Sequence, residues 1–369
     1  MRRERRKLTM YLSGALASLA FLLPSCENGE GPAADTWDRG AMLEHLTDDF
    51  IVPAFENYKS QTADLVAAAT WFEDFTDQQS LDRLREELED AYLAWQWVSF
   101  LEIGPGEAKA LRFRSNTFPT DTTNLKSDIT SFAAGSGPNF QLPSTFDRQG
   151  YPALDFLVEG KDLDFFISNP NAAAYVSNLA ISLHTLAVDV DAAWENERIG
   201  FIANNGSAAS ASTNKLANDY VFHYEKEFRA GKVGIPAGVF SSVPLPEKVE
   251  SLYGGYSRKL FLEALKAHRA FFFGKSYDGL SEGPGFAAYL DHLNVRGVDG
   301  LLSEEMQEVF TESENLALEL NENFEVQISD DHIKALELYD AVQRGVVILK
   351  VDMMQALNIK VDYIDADGD

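Results

Sequence analysis

The sequence predicts an all-α protein made of two consecutive four-helix-bundle-like domains, and three observations lead there. Apolar residues recur at three- and four-residue steps from Trp37 onward, the spacing that lines one face of a helix. A small, polar stretch, Gly200 to Asn214, carries the turn signal Asn204-Asn205-Gly206-Ser207 and divides the chain into halves of similar length. The second half then repeats the helical theme of the first. A hydrophobic content of 45% with 25 Phe and 13 Tyr supports a substantial core and argues against disorder.

In chain order, residues 1–25 read as a signal peptide. Arg2, Arg3, Arg5, Arg6 and Lys7 form a basic start, and Leu8 to Leu23 is an apolar stretch shorter than the roughly 20 residues that cross a bilayer. It ends Leu23-Pro24-Ser25-Cys26, which resembles a bacterial lipobox, so lipidation is expected at Cys26. An ordinary signal with an incidental cysteine is the plainer alternative. Cys26 is the only cysteine in the chain, so no internal disulfide can form. Residues 26–35 have linker composition. Without residues 1–25, which hold five basic residues and one acid, 26 basic residues face 57 acidic ones, a net charge of −31. That surface repels nucleic acid and anionic lipid, and excludes a nucleic-acid partner. No segment beyond the signal is expected to span a membrane.

The first bundle is assigned to residues 36–205. Leu43, Leu46, Phe50 and Ile51 start a helical pattern, Pro53 predicts a break or kink, and the run continues to Phe75. Thr76 or Asp77 can cap the next helix, which holds Leu81, Leu84, Leu88, Tyr92, Trp95 and Val98 on one face. Gly104-Pro105-Gly106 ends it. A short helix is expected over 121–132, a loop up to Gln149, a helix start at Gly150 to Asp155, and one long helix from Asn171 to Glu197. The second bundle is assigned to residues 206–369, with helices near 213–229, 257–273, 284–295, 303–321 and 330–357. A long loop is expected over 231–246, Gly274 is placed as a helix stop, and a short extended piece is expected at 359–365.

The stretch Gly150-Tyr151-Pro152-Ala153-Leu154-Asp155 suits a helix entry on local grounds: Pro152 brings a preset φ, and Asp155 sits one turn in, near the positive end of the dipole. The same stretch, with Trp95-Gln96, Gly104-Pro105 and Phe118-Pro119-Thr120-Asp121 before it in that order, resembles the imelysin family of bacterial envelope proteins. Its signature is Gly-x-His-x-x-Glu, in which an imidazole and a carboxylate three apart share a helix face. Here Pro152 stands at the His position and Asp155 at the Glu position. The resemblance spans roughly residues 36–369 and implies two helical bundles with a cleft between them. In that cleft it would place Trp95, Gln96, Pro119, Tyr151, Pro152, Asp155, Tyr256, Ser257 and Arg258. Asp155 would be the one retained metal ligand, for iron or another divalent metal, and Arg258 a partner for its charge.

Other constellations are weaker. No His-Glu-x-x-His, Gly-x-Ser-x-Gly or phosphate-binding glycine loop is present. His223 with Glu227 and His45 with Asp49 have helical i,i+4 spacing that could share a metal; a solvated charged face is the expected reading of both, the first having Glu225 and Lys226 between its members. His184 is expected as a hydrogen-bonded, partly buried side chain and His268 as a packed one. Asp365, Asp367 and Asp369 resemble the start of a calcium loop but lack its distal Glu.

The resulting expectation is a non-catalytic protein of the cell envelope, lipid-anchored to the outer membrane. It would bind a metal species, a small ligand or a protein partner of an iron-uptake system, the role that the resemblance implies. A metal-dependent peptidase, the activity described for the family's founding member, is the alternative from the enzyme class. An adhesion or scaffold lipoprotein is the third.

Overall fold

The computed structural model describes residues 35–363, apart from residue 134. The signal peptide, Cys26, nearly all of the linker and the acidic end from Ile364 to Asp369 lie outside the described residues. Residues from Trp37 onward cluster as one compact unit. The secondary structure described is helical, relieved only by isolated bridges at Lys275–Glu282 and Arg296–Leu301.

The first helices form an antiparallel layer. α1 (Arg39–His45) runs through a π-helical stretch, Leu46–Ile51, into α2 (Val52–Asp74). Pro53 therefore does not break the helix. It lacks the N–H that would reach the carbonyl of Asp49, and that carbonyl instead accepts from the Tyr277 amide at 2.8 Å. The π stretch absorbs the displaced turn. α3 (Gln78–Trp95) starts on a reciprocal cap between Asp77 and Ser80, as the sequence suggested for residue 77.

Short helices follow: α4 (Pro105–Lys109), α5 (Leu111–Ser115), α6 (Thr122–Ala133), α7 (Gly150–Leu154) and α8 (Leu163–Ser168). α9 (Pro170–Ala203) lies along α2, where Phe55 packs on Trp194. By length and composition α9 could cross a membrane, which the sequence reading overlooked. Its stripe of Tyr175, Leu179, Leu183, Leu186, Val190 and Trp194 is buried within the protein, so it is a core helix here.

The second half departs more from expectation. α10 (Ser212–Phe222) does not continue as an α-helix; residues His223–Gly234 wind as a π-helix into a single turn, α11 (Ile235–Ala237). The long loop thus starts only at Gly238. α12 (Ser257–Phe272) stops at Gly274, whose φ is +67° and where a Cβ would stand 2.3 Å from the Gly283 carbonyl oxygen. α13 (Phe286–His292), α14 (Leu302–Glu319) and α15 (Phe324–Val347) follow. α15 is kinked at Asp331 and passes through a second long π stretch, Ile348–Met353, into α16 (Met354–Ala356). Of the expected extended piece at 359–365, the described residues up to Tyr363 form no strand; the Asn218 side chain donates to the Lys360 carbonyl at 3.1 Å and accepts from the Asp362 amide at 3.0 Å.

The core crosses the expected boundary at residues 205 and 206. Phe50 meets Phe271 at 5.1 Å between centroids, Phe100 meets Phe271 at 5.3 Å, and the Trp97 indole donates to Glu263 at 2.6 Å. The helices of the two sequence halves therefore share one hydrophobic interior.

Candidate functional site

At Gly150 the backbone takes φ +67°, and a Cβ would come within 2.1 Å of the Ser115 carbonyl oxygen. Only glycine fits, so the first position of the motif is fixed by backbone approach. Tyr151 is fully buried, donates to the Ala91 carbonyl at 2.9 Å, and stacks on Tyr92 with centroids 4.3 Å apart. Trp95 borders the same stack, 6.1 Å from Tyr151 and 5.8 Å from Tyr58.

Asp155 opens another π stretch, Asp155–Glu159. Its carboxylate is 3% exposed and fastens the loop before α12. One oxygen accepts from the Gly254 amide at 2.9 Å and from the Ser251 hydroxyl at 3.3 Å, the other from the Tyr253 amide at 3.0 Å. Burial pushes the carboxyl up to about 6, opposed by these three hydrogen bonds and helped by nearby Glu250.

Beside this clasp lies a buried polar network that joins the two halves. Lys232, from the π-helix, is ion-paired with Glu250 and donates to Gln96 Oε1 at 2.8 Å. Glu250 also accepts from Asn116 at 2.7 Å and weakly from Gln96 Nε2 at 3.4 Å, while Tyr92 donates to Asn116 Oδ1 at 2.7 Å. Ser257 donates to the Glu250 carbonyl at 2.7 Å, and Tyr256 packs edge-on to Tyr92. Every member is at least partly buried, so each bond operates where water competes little.

The structure thus brings Trp95, Gln96, Tyr151, Asp155, Tyr256 and Ser257 around one interior node, with Pro152 buried beside Tyr151. Two expected neighbours stand elsewhere. Pro119 is exposed, in a cis peptide bond with Phe118. Arg258 is not the partner of Asp155: at the start of α12 its amide donates to the Glu322 carbonyl at 3.0 Å and its guanidinium to the Leu320 carbonyl.

The side chains around Asp155 do not make up a metal-binding set. The Pro152 side chain offers no lone pair, both Asp155 carboxylate oxygens already serve the 251–254 loop, and no three His, Cys, Asp or Glu side chains among the described residues are placed to hold a metal together. The residues present do not fit a metal at this position.

Lys232, Glu250 and Asn116 escaped the sequence reading, Tyr92 was read only as part of a helix face, and the burial of His223 was missed. For Lys232 and His223 the cause is the winding of residues 223–234. In a π-helix hydrogen bonds close five residues apart, so positions 223, 227 and 232 fall on one side, whereas α-helical spacing would fan them out. His223 is consequently buried and shares a 2.9 Å contact with His268, inside a wall of Phe100, Tyr220 and Phe228. Burial, with Lys232 and Arg112 nearby, drives His268 down to about 3 and His223 well below its usual value, so both rings are neutral. Of the expected solvated face, His223 is buried and Glu227 half-buried. His45 is hydrogen-bonded rather than on a solvated face: its ring meets Asp49 at 2.7 Å and the Gly274 carbonyl at 2.7 Å. His184 meets the Thr62 hydroxyl at 3.0 Å.

Comparison with known proteins agrees with this architecture. The chain is similar to the crystal structure of an imelysin-like protein from Psychrobacter arcticum 273-4, with a TM-score of 0.71, 17% identity, and coverage of 88% of this chain and 97% of that one. It is similar also to a putative iron-regulated protein A precursor from Parabacteroides distasonis ATCC 8503, with a TM-score of 0.64, 14% identity, and coverage of 85% and 95%. At these identities the likeness establishes the fold alone. The comparison with curated proteins found no match. The sequence itself matches the description of the peptidase M75 family, Imelysin, over residues 51–346, and the chain belongs to the imelysin family.

Proposed function

We propose that this protein is a non-catalytic imelysin-family binding protein of the cell envelope, anchored by lipid at Cys26 and serving an iron-related uptake system. It would act by engaging a small ligand or an envelope partner rather than by chelating a metal through the signature motif. The observation that carries this reading is the state of that motif: the imidazole position is Pro152, and the surviving carboxylate, Asp155, is committed to the loop at 251–254. A hydrolytic centre needs a nucleophile or a metal-bound water with a base in reach. The buried, hydrogen-bonded Asp155 supplies neither. Iron relevance is supported by the family and by the iron-regulated relative's description.

Two measurements on the same strain and protein test the proposal. Deleting the gene is expected to slow growth under iron limitation, with rescue by the wild-type chain and not by Cys26→Ala. The purified mature chain is expected to cleave no peptide library, with or without chelator. Chelator-sensitive cleavage that is lost in Asp155→Asn would return the protein to the peptidases, and unchanged growth of the deletion strain would remove the iron role.

A further inference from the structure

The turn Asn204-Asn205-Gly206-Ser207 joins α9 to α10 and takes no part in the buried node. Its two asparagines are held differently. Asn204 is pinned on every side: its Nδ2 donates to the Ser210 carbonyl at 2.9 Å, its N–H to the Gly200 carbonyl at 3.1 Å, and its carbonyl accepts from the Ser212 amide at 2.9 Å. Asn205 and Gly206 are exposed, and neither the Asn205 side chain nor the Gly206 N–H has a hydrogen bond among the described residues. The Gly206 carbonyl accepts from Arg39 Nη1 at 3.2 Å, which steadies the turn without covering the Gly206 nitrogen. A Cβ on Gly206 would meet nothing within 4 Å, so no neighbour shields that backbone.

A side-chain amide carbon and the next backbone nitrogen are tethered at the distance of a five-membered ring, where an intramolecular attack gains most from proximity. Glycine at the second position removes the Cβ that would hinder it, and the absence of hydrogen bonds leaves both groups able to turn toward each other. We propose that Asn205 deamidates spontaneously, which makes this turn a covalent modification site whose only co-reactant is water. The Gly206 nitrogen gives its proton to solvent base and attacks Asn205 Cγ. The Cγ–Nδ2 bond breaks, Nδ2 takes a proton and leaves as ammonia, and a cyclic imide remains. Water then adds to one imide carbonyl and opens the ring, giving aspartate or isoaspartate and releasing a proton. No electrons are exchanged, so no oxidant is required.

The product bears on the start of α1. Asn205 Nδ2 stands 2.8 Å, and Asp38 Oδ1 3.2 Å, from the point where a Cβ on Gly40 would lie, and Asp38 caps α1 by accepting from the Ala41 amide at 2.9 Å. Conversion sets a second carboxylate beside that cap, and the iso form lengthens the main chain just before the carbonyl that Arg39 holds. This site is independent of the Asp155 clasp and of the proposed iron role.

The test holds the purified, folded mature chain at mildly alkaline pH and body temperature and samples it over days. In the tryptic peptide Ile199–Lys215 the reaction shows as a gain of one mass unit, which fragmentation assigns to Asn204, Asn205 or Asn214. Conversion at Asn205 is expected at least tenfold faster than at Asn204 or Asn214, with both aspartate and isoaspartate formed. Gly206→Ala, which the open space accommodates, is expected to slow it at least tenfold and to leave the melting temperature within a few degrees. Conversion at Asn205 no faster than at Asn204, or a rate in Gly206→Ala within twofold of wild type, overturns the proposal.

Discussion

Replacing Asp155 by Asn keeps the size of the side chain but turns one acceptor oxygen into a donor that faces the amides of residues 253 and 254. At least one buried N–H then loses its partner, and a loss of about 1–3 kcal/mol is expected in chemical unfolding. At Gly150 the added Cβ of alanine meets the Ser115 carbonyl while the backbone stays at positive φ. Gly150→Ala should cost about 2–4 kcal/mol, the range of backbone strain plus overpacking, as read from the same denaturation midpoint. Lys232→Met leaves the Glu250 carboxylate buried without its cation, and a loss of about 3–5 kcal/mol is expected. Adding Glu250→Gln should recover part of that loss; if the double variant is as unstable as the sum of the single ones, the pair is not coupled. Of these residues the sequence made Gly150 and Asp155 visible, because a family motif and a helix start coincide there. Lys232 was hidden among the glycines and prolines of the loop expected over 231–246, and Glu250 lies just beyond it.

Among the elements, the π-helical segments separate what was legible from what was not. α2, α3, α9, α12 and α14 follow the 3.6-residue period, and their spans were readable within a few residues. The stretch 223–234 obeys a different period, so a helix expected to end near Arg229 continues, and a charged face turns inward. Pro53 misled for a related reason. Its effect on the helix is real, but Tyr277, distant in sequence, takes up the freed carbonyl of Asp49. Such long-range compensation leaves no local trace. The candidate site was legible to the same extent: helix-borne aromatic residues such as Trp95 and Tyr151 were identifiable, whereas their polar neighbours depend on how distant turns meet.

The whole molecule carries buried acids that prefer to be neutral, and above about pH 6.5, where unfolded histidines are neutral, this sets the sign of its pH dependence. Burial raises Glu102 and Glu159 to about 7 and Asp155 to about 6, above the ordinary values of 4.5 and 3.8 that they regain on unfolding. Below the unfolded values these groups are protonated in both states and cost nothing. As pH rises through the folded values, the folded state must bear ionised, desolvated carboxylates, and stability falls. The melting temperature should therefore rise as pH is lowered from about 8 to about 6.5, and relief of the large negative charge acts in the same direction; below that, His223 and His268, which take up protons only on unfolding, act against it. A melting temperature that falls steadily over that interval would contradict the assignment. Glu225 works oppositely at lower pH: its burial is outweighed by the bonds from Lys350, Lys226 and Tyr363, so its carboxyl lies below the usual range and its contribution is lost on stronger acidification.

The claim that residue 155 is a structural clasp is tested most directly by amide hydrogen exchange at Tyr253 and Gly254 in the wild-type chain and in Asp155→Asn. The account predicts that these two amides are protected in the wild type and exchange at least tenfold faster in the variant, while amides in α2 and α9 change far less. Unaltered protection at both positions would show that the carboxylate does not hold the loop, and would free it for the ligand chemistry that the family signature implies.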